Sequence, residues 1–210
     1  ILIALPFGLA VAVYMSEVAD HKIRDLMKPV IELLSGIPSV VYGFFGLIVI
    51  VPLLQRVFDL PVGESGLAGS IVLAIMALPT IITVTEDAMR NCPRAMREAS
   101  LALGASQWQT IYKVVIPYSI SGITSGVVLG IGRAVGETMA VLMVTGNAAV
   151  IPHTILEPLR TIPATIAAEL GEAPAGGAHY EALFLLGVVL FFISLLINFT
   201  VEAVSSGKRK

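Results

Sequence analysis

The sequence predicts an all-α membrane protein, a polytopic helix bundle. Hydrophobic residues make up 56% of the 210 residues and charged residues only 13%, whereas soluble domains carry about 25% charged residues. The mean hydropathy is +0.90, and the apolar residues gather in long runs between polar segments. These observations exclude an ordinary soluble domain and predict helices that cross a bilayer.

Five apolar runs are the candidate spans, and all but the first reach the roughly 20 residues that a crossing helix needs. They cover residues 1–16, 33–54, 67–85, 118–146 and 182–204. The first run starts without Met inside an apolar stretch, so we expect a span cut short and an upstream helix beyond this sequence. No internal repeat or linker divides the chain, which predicts a single domain over 1–210.

The basic residues predict the orientation of the spans. Ten of the thirteen Lys and Arg residues lie in segments 17–28 and 86–117 and in the tail Lys208–Lys210. The positive-inside rule therefore places these segments and the C-terminus in the cytoplasm. Segments 55–66 and 147–181 are then external, and Ile162 to Leu170 is expected to form a short interfacial helix.

Several function classes find no support in the sequence. Cys92 is the single cysteine, so no intrachain disulfide can form. His21, His153 and His179 stand in separate loops without metal-ligand spacing. No phosphate-binding loop or hydrolase motif occurs. We therefore expect no bound cofactor, no enzymatic activity and no nucleic-acid partner for this chain.

Two opposite charges, Arg133 and Glu137, interrupt the apolar run 118–146. A charge at the centre of a span costs about 2.5–3.5 kcal/mol, so such residues pair or face protein or water. At about 100° per residue they share one predicted helix face with three glycines, which allow another helix to approach closely. The glycines are Gly122, Gly126 and Gly130.

Arg133 has two interpretations. Its guanidinium could bind a tetrahedral oxyanion through paired N–H donors, with Glu137 holding it in place. Alternatively, the two charges at i and i+4 only neutralise each other and join helices. Thr138 could add a hydroxyl donor to an anion, or bond its own helix backbone.

Ser39 and Tyr42 follow a predicted helix break at Gly36–Pro38, one turn apart. A broken helix can offer backbone N–H groups to an anion. The alternative is a simple kink with a packed Tyr side chain.

The 86–117 segment is too long and polar for a simple connector; it is called the coupling loop below, after the role that a resemblance to a known family implies for it. Glu98 to Gly104 predicts a short helix ended by a glycine turn, and Ser106 to Lys113 predicts a second helix leading to Pro117. Two helices joined by a tight turn make a rigid surface for a partner protein. The alternative is an ordinary interfacial loop.

Glu98-Ala99-Ser100, then Gly104 and Val114-Val115-Ile116-Pro117 at matching spacing, resembles the EAA loop of ABC importer permeases. Ser100, Val114 and Ile116 are mild departures from that pattern. The resemblance implies a type I importer permease fold whose loop sits in a cleft of a cytoplasmic ATPase subunit. The residues it assigns to coupling are Glu98, Ala99, Gly104 and Pro117.

Segments Gly36–Gly43 and Gly132–Val141, followed by Gly146-Asn147, resemble the PstC-type subunit of phosphate-specific importers. The resemblance implies passage of inorganic phosphate across a prokaryotic cytoplasmic membrane, in contact with membrane lipid. It also implies a second permease subunit, an extracytoplasmic phosphate-binding protein and two ATPase subunits that bind ATP and Mg. The pathway residues would be Arg133, Glu137, Thr138, Ser39 and Tyr42.

Three alternatives stay open at the level of sequence. The same machine could carry another oxyanion, such as molybdate or sulfate. A proton-coupled secondary transporter could use Glu137 and Arg133 as its relay, but it would leave the coupling loop unexplained. A structural scaffold would tolerate replacement of both charges by Leu.

Overall fold

A computed structural model describes residues 1–206, with side chains described to residue 200. The predicted basic tail Lys208–Lys210 lies outside the described residues. The predicted all-α class is confirmed, since residues 1–206 form helices and connecting segments with one isolated bridge between Gly146 and Leu159. The helices are α1 Ala4–Val13, α2 His21–Gly36, α3 Ser39–Phe45, α4 Val51–Val57, α5 Gly66–Arg90, α6 Arg94–Ala102, α7 Gln107–Thr110, α8 Ile116–Tyr118, α9 Ile120–Gly136, α10 Met139–Val144, α11 Ile162–Glu169 and α12 Ala178–Ser206.

Three π-turns extend or join these helices within residues 1–206. One continues α1 over Tyr14–Val18, one joins α3 to α4 over Gly46–Ile50, and one joins α7 to α8 over Ile111–Val115. A π-turn bonds each amide to the carbonyl five residues back, so it is wider than an α-turn.

The described residues contain three helices that are long and apolar enough to cross a membrane. They are Ser39–Val57, Gly66–Arg90 and Ala178–Thr200. A fourth arises if the bent pair Gln107–Tyr118 and Ile120–Gly136 counts as one span, while Ala4–Val18 is a shorter apolar helix. These elements match the five predicted apolar runs in order.

The helices group into two compact units that interleave along the chain. Among the described residues, unit 1 contains Ile1–Gly36, Ala77–Ile131 and residues 199–206, and unit 2 contains Ile37–Met76 and Gly132–Asn198. Helices α5 and α9 each give residues to both units.

Unit 1 is built where α1, α2 and α9 pack on the second half of α5. One apolar cluster joins Met15 and Ile31 to Ile82, and another joins Met89 to Val115. The three glycines singled out in the sequence face α5 at short range. A Cβ on Gly122 would lie 2.2 Å from Ala88 Cβ, and those on Gly126 and Gly130 would lie 3.3 and 3.0 Å from side-chain atoms of Thr85 and Ile81.

Unit 2 packs α3 and its π-turn between α10 and the first half of α5. Its core holds Tyr42, Val72 and Val144. Gly43 lies against α10, since a Cβ there would stand 2.8 Å from Ala140 Cα. Because backbone meets backbone at this position, only glycine fits without a shift.

The prediction that 17–28 is a loop is wrong, because helix α2 starts at His21. The spacing of Met27 and Ile31 gives α2 an apolar stripe that packs in unit 1. Of its basic residues, Lys22 is exposed, whereas Arg24 and Lys28 bond to other segments. Arg24 donates to the carbonyls of Met15 and Ser16, at 2.8 and 3.1 Å.

The predicted single span over 118–146 is also wrong. The helix bends by 67° between Tyr118 and Ile120, because Pro117 has no amide for the helical ladder. It then ends at Gly136, and a separate helix starts at Met139.

Candidate functional site

Five predicted residues belong to unit 2, three of them at or just beyond the end of α9 and two in α3. We refer to this group as the broken-helix site; its members are Ser39, Tyr42, Arg133, Glu137 and Thr138. The proposed i,i+4 arrangement assumed one continuous helix and is therefore wrong in its geometry, since only Arg133 belongs to α9.

Glu137 lies in the break just before helix α10 rather than continuing α9. Its Oε1 accepts a hydrogen bond from the amide of Ala140 at 3.1 Å. A carboxylate at this end also interacts favourably with the positive end of the helix dipole. Thr138 occupies the N-cap, and its Oγ1 donates to the carbonyl of Gly136 at 3.4 Å. Both residues thus define the break itself.

Arg133 and Tyr42 come together in unit 2. Arg133 is half-buried in the last turn of α9, and its charge acts on the phenol of Tyr42. Tyr42 is 7% exposed and belongs to the core. Ser39 begins α3 one turn earlier and is half-buried. The structure therefore agrees with the interpretation of a packed Tyr42 side chain, and it adds the influence of Arg133 on the phenol, which neither interpretation included.

A cavity of about 460 Å³ adjoins the break. Gly136 and Thr138 line it on one side, and helix α11 lines it with Pro163 and Ala167. The sequence predicted α11 correctly over Ile162 to Leu170, but nothing in the sequence indicated that it would lie beside the break.

The 147–181 segment is fastened by a cluster of charges that sequence reasoning did not single out. Arg160 forms an ion pair with Glu169, and its Nε donates to the carbonyl of Asn147 at 3.0 Å. His179 at the start of α12 lies 3.2 Å from the same carboxylate. These contacts hold both ends of α11 in unit 2.

The coupling loop in unit 1 has the predicted two helices, with different limits. Gly104 lies between them with φ +83°, which confirms the predicted glycine turn. Helix α7 starts with a capping box, in which Ser106 Oγ accepts from the Gln109 amide and Gln109 Oε1 accepts from the Ser106 amide. The hydroxyls of Ser100 and Thr110 hydrogen-bond at 2.9 Å and tie α6 to α7.

The coupling loop presents an exposed surface that mixes polar and apolar groups. Its four predicted coupling residues, Glu98, Ala99, Gly104 and Pro117, are all exposed. Beside them Leu103 is 89% exposed and Trp108 63% exposed. Large apolar side chains exposed together often mark a protein interface. Sequence reasoning missed both residues, although a lone Trp in a polar segment was a usable signal.

A buried carboxylate was also missed at the end of α5. Glu86 is 1% exposed and pairs with Lys28 at 2.9 Å and Arg90 at 3.4 Å. Lys28 also donates to Asp87 at 2.7 Å. The hydrogen bond to Asp87, reinforced by Glu86, raises the pKa of Lys28 above its usual value of 10.5 despite partial burial. The sequence showed only the Glu86–Arg90 spacing, because Lys28 is far away along the chain.

The chain matches known transport proteins along nearly its whole length. Residues 4–210 match the family described as binding-protein-dependent transport system inner membrane component. The probable ABC transporter permease protein YqgH of Bacillus subtilis is 43% identical over 208 residues, covering 99% of this chain and 67% of that protein. The phosphate transport system permease protein PstC of Mesorhizobium japonicum is 38% identical over 216 residues, covering 94% and 66%. The chain thus spans about two thirds of the length of these relatives.

Among solved structures, the inward-facing MetNI methionine ABC transporter shares the fold. The TM-score is 0.75 at 18% identity, and the match covers 99% of this chain and 88% of that chain. At this identity the likeness shows the fold alone. The predicted architecture of an importer permease is therefore confirmed.

Proposed function

Since the chain belongs to the binding-protein-dependent transport system inner membrane component family, we propose that it is the PstC-type permease subunit of an ATP-driven phosphate importer. The chain is thus a membrane-embedded transport component of an ABC importer. Identity to PstC proteins of several bacteria, at 33–38% over most of the chain, supports phosphate as the substrate.

The placement of Arg133 is the structural observation that carries the proposal. A half-buried guanidinium ends a broken helix beside the phenol of Tyr42. Its planar set of donors suits a tetrahedral oxyanion. Glu137 is occupied by the amide of Ala140, so it fixes the break while Arg133 offers positive charge to the anion.

The partners follow from the same proposal. Two cytoplasmic ATPase subunits, which hold ATP and Mg, dock on the exposed coupling loop around Glu98, Ala99, Gly104 and Pro117. A second permease subunit completes the pathway within the lipid of the cytoplasmic membrane. An extracytoplasmic phosphate-binding protein docks on the external segment 147–181 and delivers phosphate. The C-terminus of the chain lies in the cytoplasm.

Closure of the ATPase dimer moves the coupling loop and thereby alternates access to the pathway. The contacts of Gly122, Gly126 and Gly130 with α5 form the seam along which α9 shifts. Glycine contacts suit such a seam, because they bring two helices close without interlocking side chains.

Uptake of labelled phosphate by the full complex tests the role of Arg133. Arg133→Gln removes the charge and should lower uptake about tenfold or more, since a charge-assisted hydrogen bond is worth about 1.5–3 kcal/mol. Uptake by Arg133→Lys, which keeps the charge without the planar fork, should lie between the uptake of the wild type and that of Arg133→Gln. Arg56→Gln changes an exposed arginine at the end of α4 and should leave uptake intact.

Assembly of the complex is measured in the same membranes. Normal uptake by an assembled Arg133→Gln complex would contradict the pathway role. Competition by unlabelled phosphate, sulfate and molybdate identifies the transported oxyanion. Stronger competition by sulfate or molybdate than by phosphate would contradict phosphate as the substrate. Uptake that depends on a proton gradient and not on ATP would refute the importer altogether.

A further inference from the structure

Arg97 joins the coupling loop to two other helices of unit 1. The residue lies in α6, and its Nη1 is 2.5 Å from Oε2 of Glu17 in the π-turn that ends the first helix. Its Nη2 donates to the carbonyl of Met89, in the last turn of α5, at 2.7 Å. One guanidinium therefore connects α6 to the end of α5, 8 residues away along the chain, and to the end of the first helix, 80 residues away.

Glu17 receives contacts from both helices of the coupling loop. Its Oε2 pairs with Arg97 of α6, and its backbone carbonyl accepts from Nε2 of Gln107 in α7 at 3.2 Å. Its Oε1 accepts from the hydroxyl of Ser16 at 2.7 Å. The Glu17 side chain is 7% exposed and that of Arg97 is 23% exposed, so solvent screens this pair less than a surface ion pair.

A cavity of about 400 Å³ lies beneath these contacts. It is lined by Ser16, Glu17, Arg97, Leu101, Gln107 and Thr110, together with the adjacent Ile111. The coupling loop is thus not packed continuously against the end of the first helix at this point. Polar contacts across the edge of the cavity connect them instead.

We propose that Arg97, through Glu17 and the Met89 carbonyl, is the positioning residue that passes movement of the coupling loop to the first helix and to α5. This inference rests on the proposed function, in which an ATPase moves the loop. An arginine suits the task because its rigid fork can hold a carboxylate and a carbonyl at once, which a single ammonium group does less well.

The test compares phosphate transported per ATP hydrolysed by the full complex in proteoliposomes. Arg97→Met keeps most of the side-chain length and should lower this ratio about tenfold while basal ATP hydrolysis continues. Glu17→Gln should lower it less, because the amide oxygen still accepts one hydrogen bond. The exchanged pair Glu17→Arg with Arg97→Glu should recover part of the ratio. Lys22→Met removes an exposed charge of α2 and serves as the control.

The outcomes separate this inference from the proposed function. An unchanged ratio in an assembled Arg97→Met complex would overturn the inference and leave the importer intact. Failure of assembly in both the single and the exchanged variants would assign the pair to stability and also overturn it. Absence of ATP-driven phosphate uptake by the wild-type complex would instead refute the proposed function.

Discussion

Around the coupling loop, ion pairs and side chains bonded to carbonyls join the helices in addition to the glycine contacts between α9 and α5, whereas next to the helix break α3 and α10 meet through glycine. In unit 1, Arg97 and Lys28 each reach two groups on other segments. In unit 2, Gly43 and Gly46 bring α3 and its π-turn against α10.

This difference separates two ways of holding helices together. A polar contact is directional, so it defines one position and is lost when either partner is removed. A glycine contact depends only on the absence of a side chain, so it tolerates small shifts along the helix but no added volume. The first kind suits a transmitted movement, and the second suits a seam that moves.

The largest expected effect is at the glycine contact. Gly43→Ala places a Cβ 2.8 Å from Ala140 Cα and 2.9 Å from Met143 Sδ. Because the backbone of α10 must shift, we expect a loss of about 1–3 kcal/mol of stability and a clear fall in the unfolding temperature of the purified complex. Gly132→Ala is the control, since a Cβ there meets nothing within 4 Å. Equal unfolding temperatures for the two variants would contradict the close approach.

The next effect is at the buried carboxylate of unit 1. Lys28→Met leaves Glu86 with Arg90 at 3.4 Å, and should cost about 1–3 kcal/mol, because a buried charge loses its nearer partner. The Lys28 side chain is 29% exposed, so we expect a smaller loss of stability than for a fully buried ion pair.

The same thermal measurement on a second variant sharpens this prediction. Replacing both Lys28 and Glu86 by Met should recover much of the loss, since an apolar pair needs no partner. If the double variant were less stable than Lys28→Met alone, loss of the Lys28–Glu86 ion pair would not be the cause of the lower stability. Lys22→Met, on the same helix, should have almost no effect.

The smallest effect concerns the 147–181 segment. Glu157 accepts from the amide of His153 at 2.7 Å, and chiefly this bond lowers the pKa of Glu157 below its usual value of 4.5. The contact therefore stabilises the turn above pH 4.5 and is lost as the pH falls through the lowered pKa.

Hydrogen exchange of the 153–157 amides measures this change. Wild type should be better protected than Glu157→Gln at about pH 6, and the two should converge at about pH 3. Glu172→Gln changes an exposed carboxylate of the same segment, and its amide protection should match that of wild type at both pH values. A difference that persists unchanged at low pH would contradict the role of the Glu157 carboxylate.

Sequence reasoning succeeded where the signal was local. The apolar runs, the Gly104 turn and helix α11 with Thr161 and Pro163 at its start were predictable from neighbouring residues. It failed at the end of α9, because helical periodicity continues through Glu137 and gives no sign that its carboxylate binds the Ala140 amide.

Contacts between distant segments were out of reach for a different reason. The partners of Lys28 and Arg97 lie 58 and 80 residues away, and no spacing rule connects them. The predicted members of the broken-helix site belong to one unit of the fold, and Arg133 influences Tyr42 there, while their roles in transport stay predictions.

The π-turns have a consequence for how this chain can change length. Each holds one residue more than an α-turn would, as in Tyr14–Val18. A deletion within an ordinary helix rotates everything beyond it by about 100°. A deletion inside a π-turn instead returns the helix to regular winding and leaves both flanks facing their former neighbours. The three turns are therefore the places where a helix of this protein can lose one residue and keep its register.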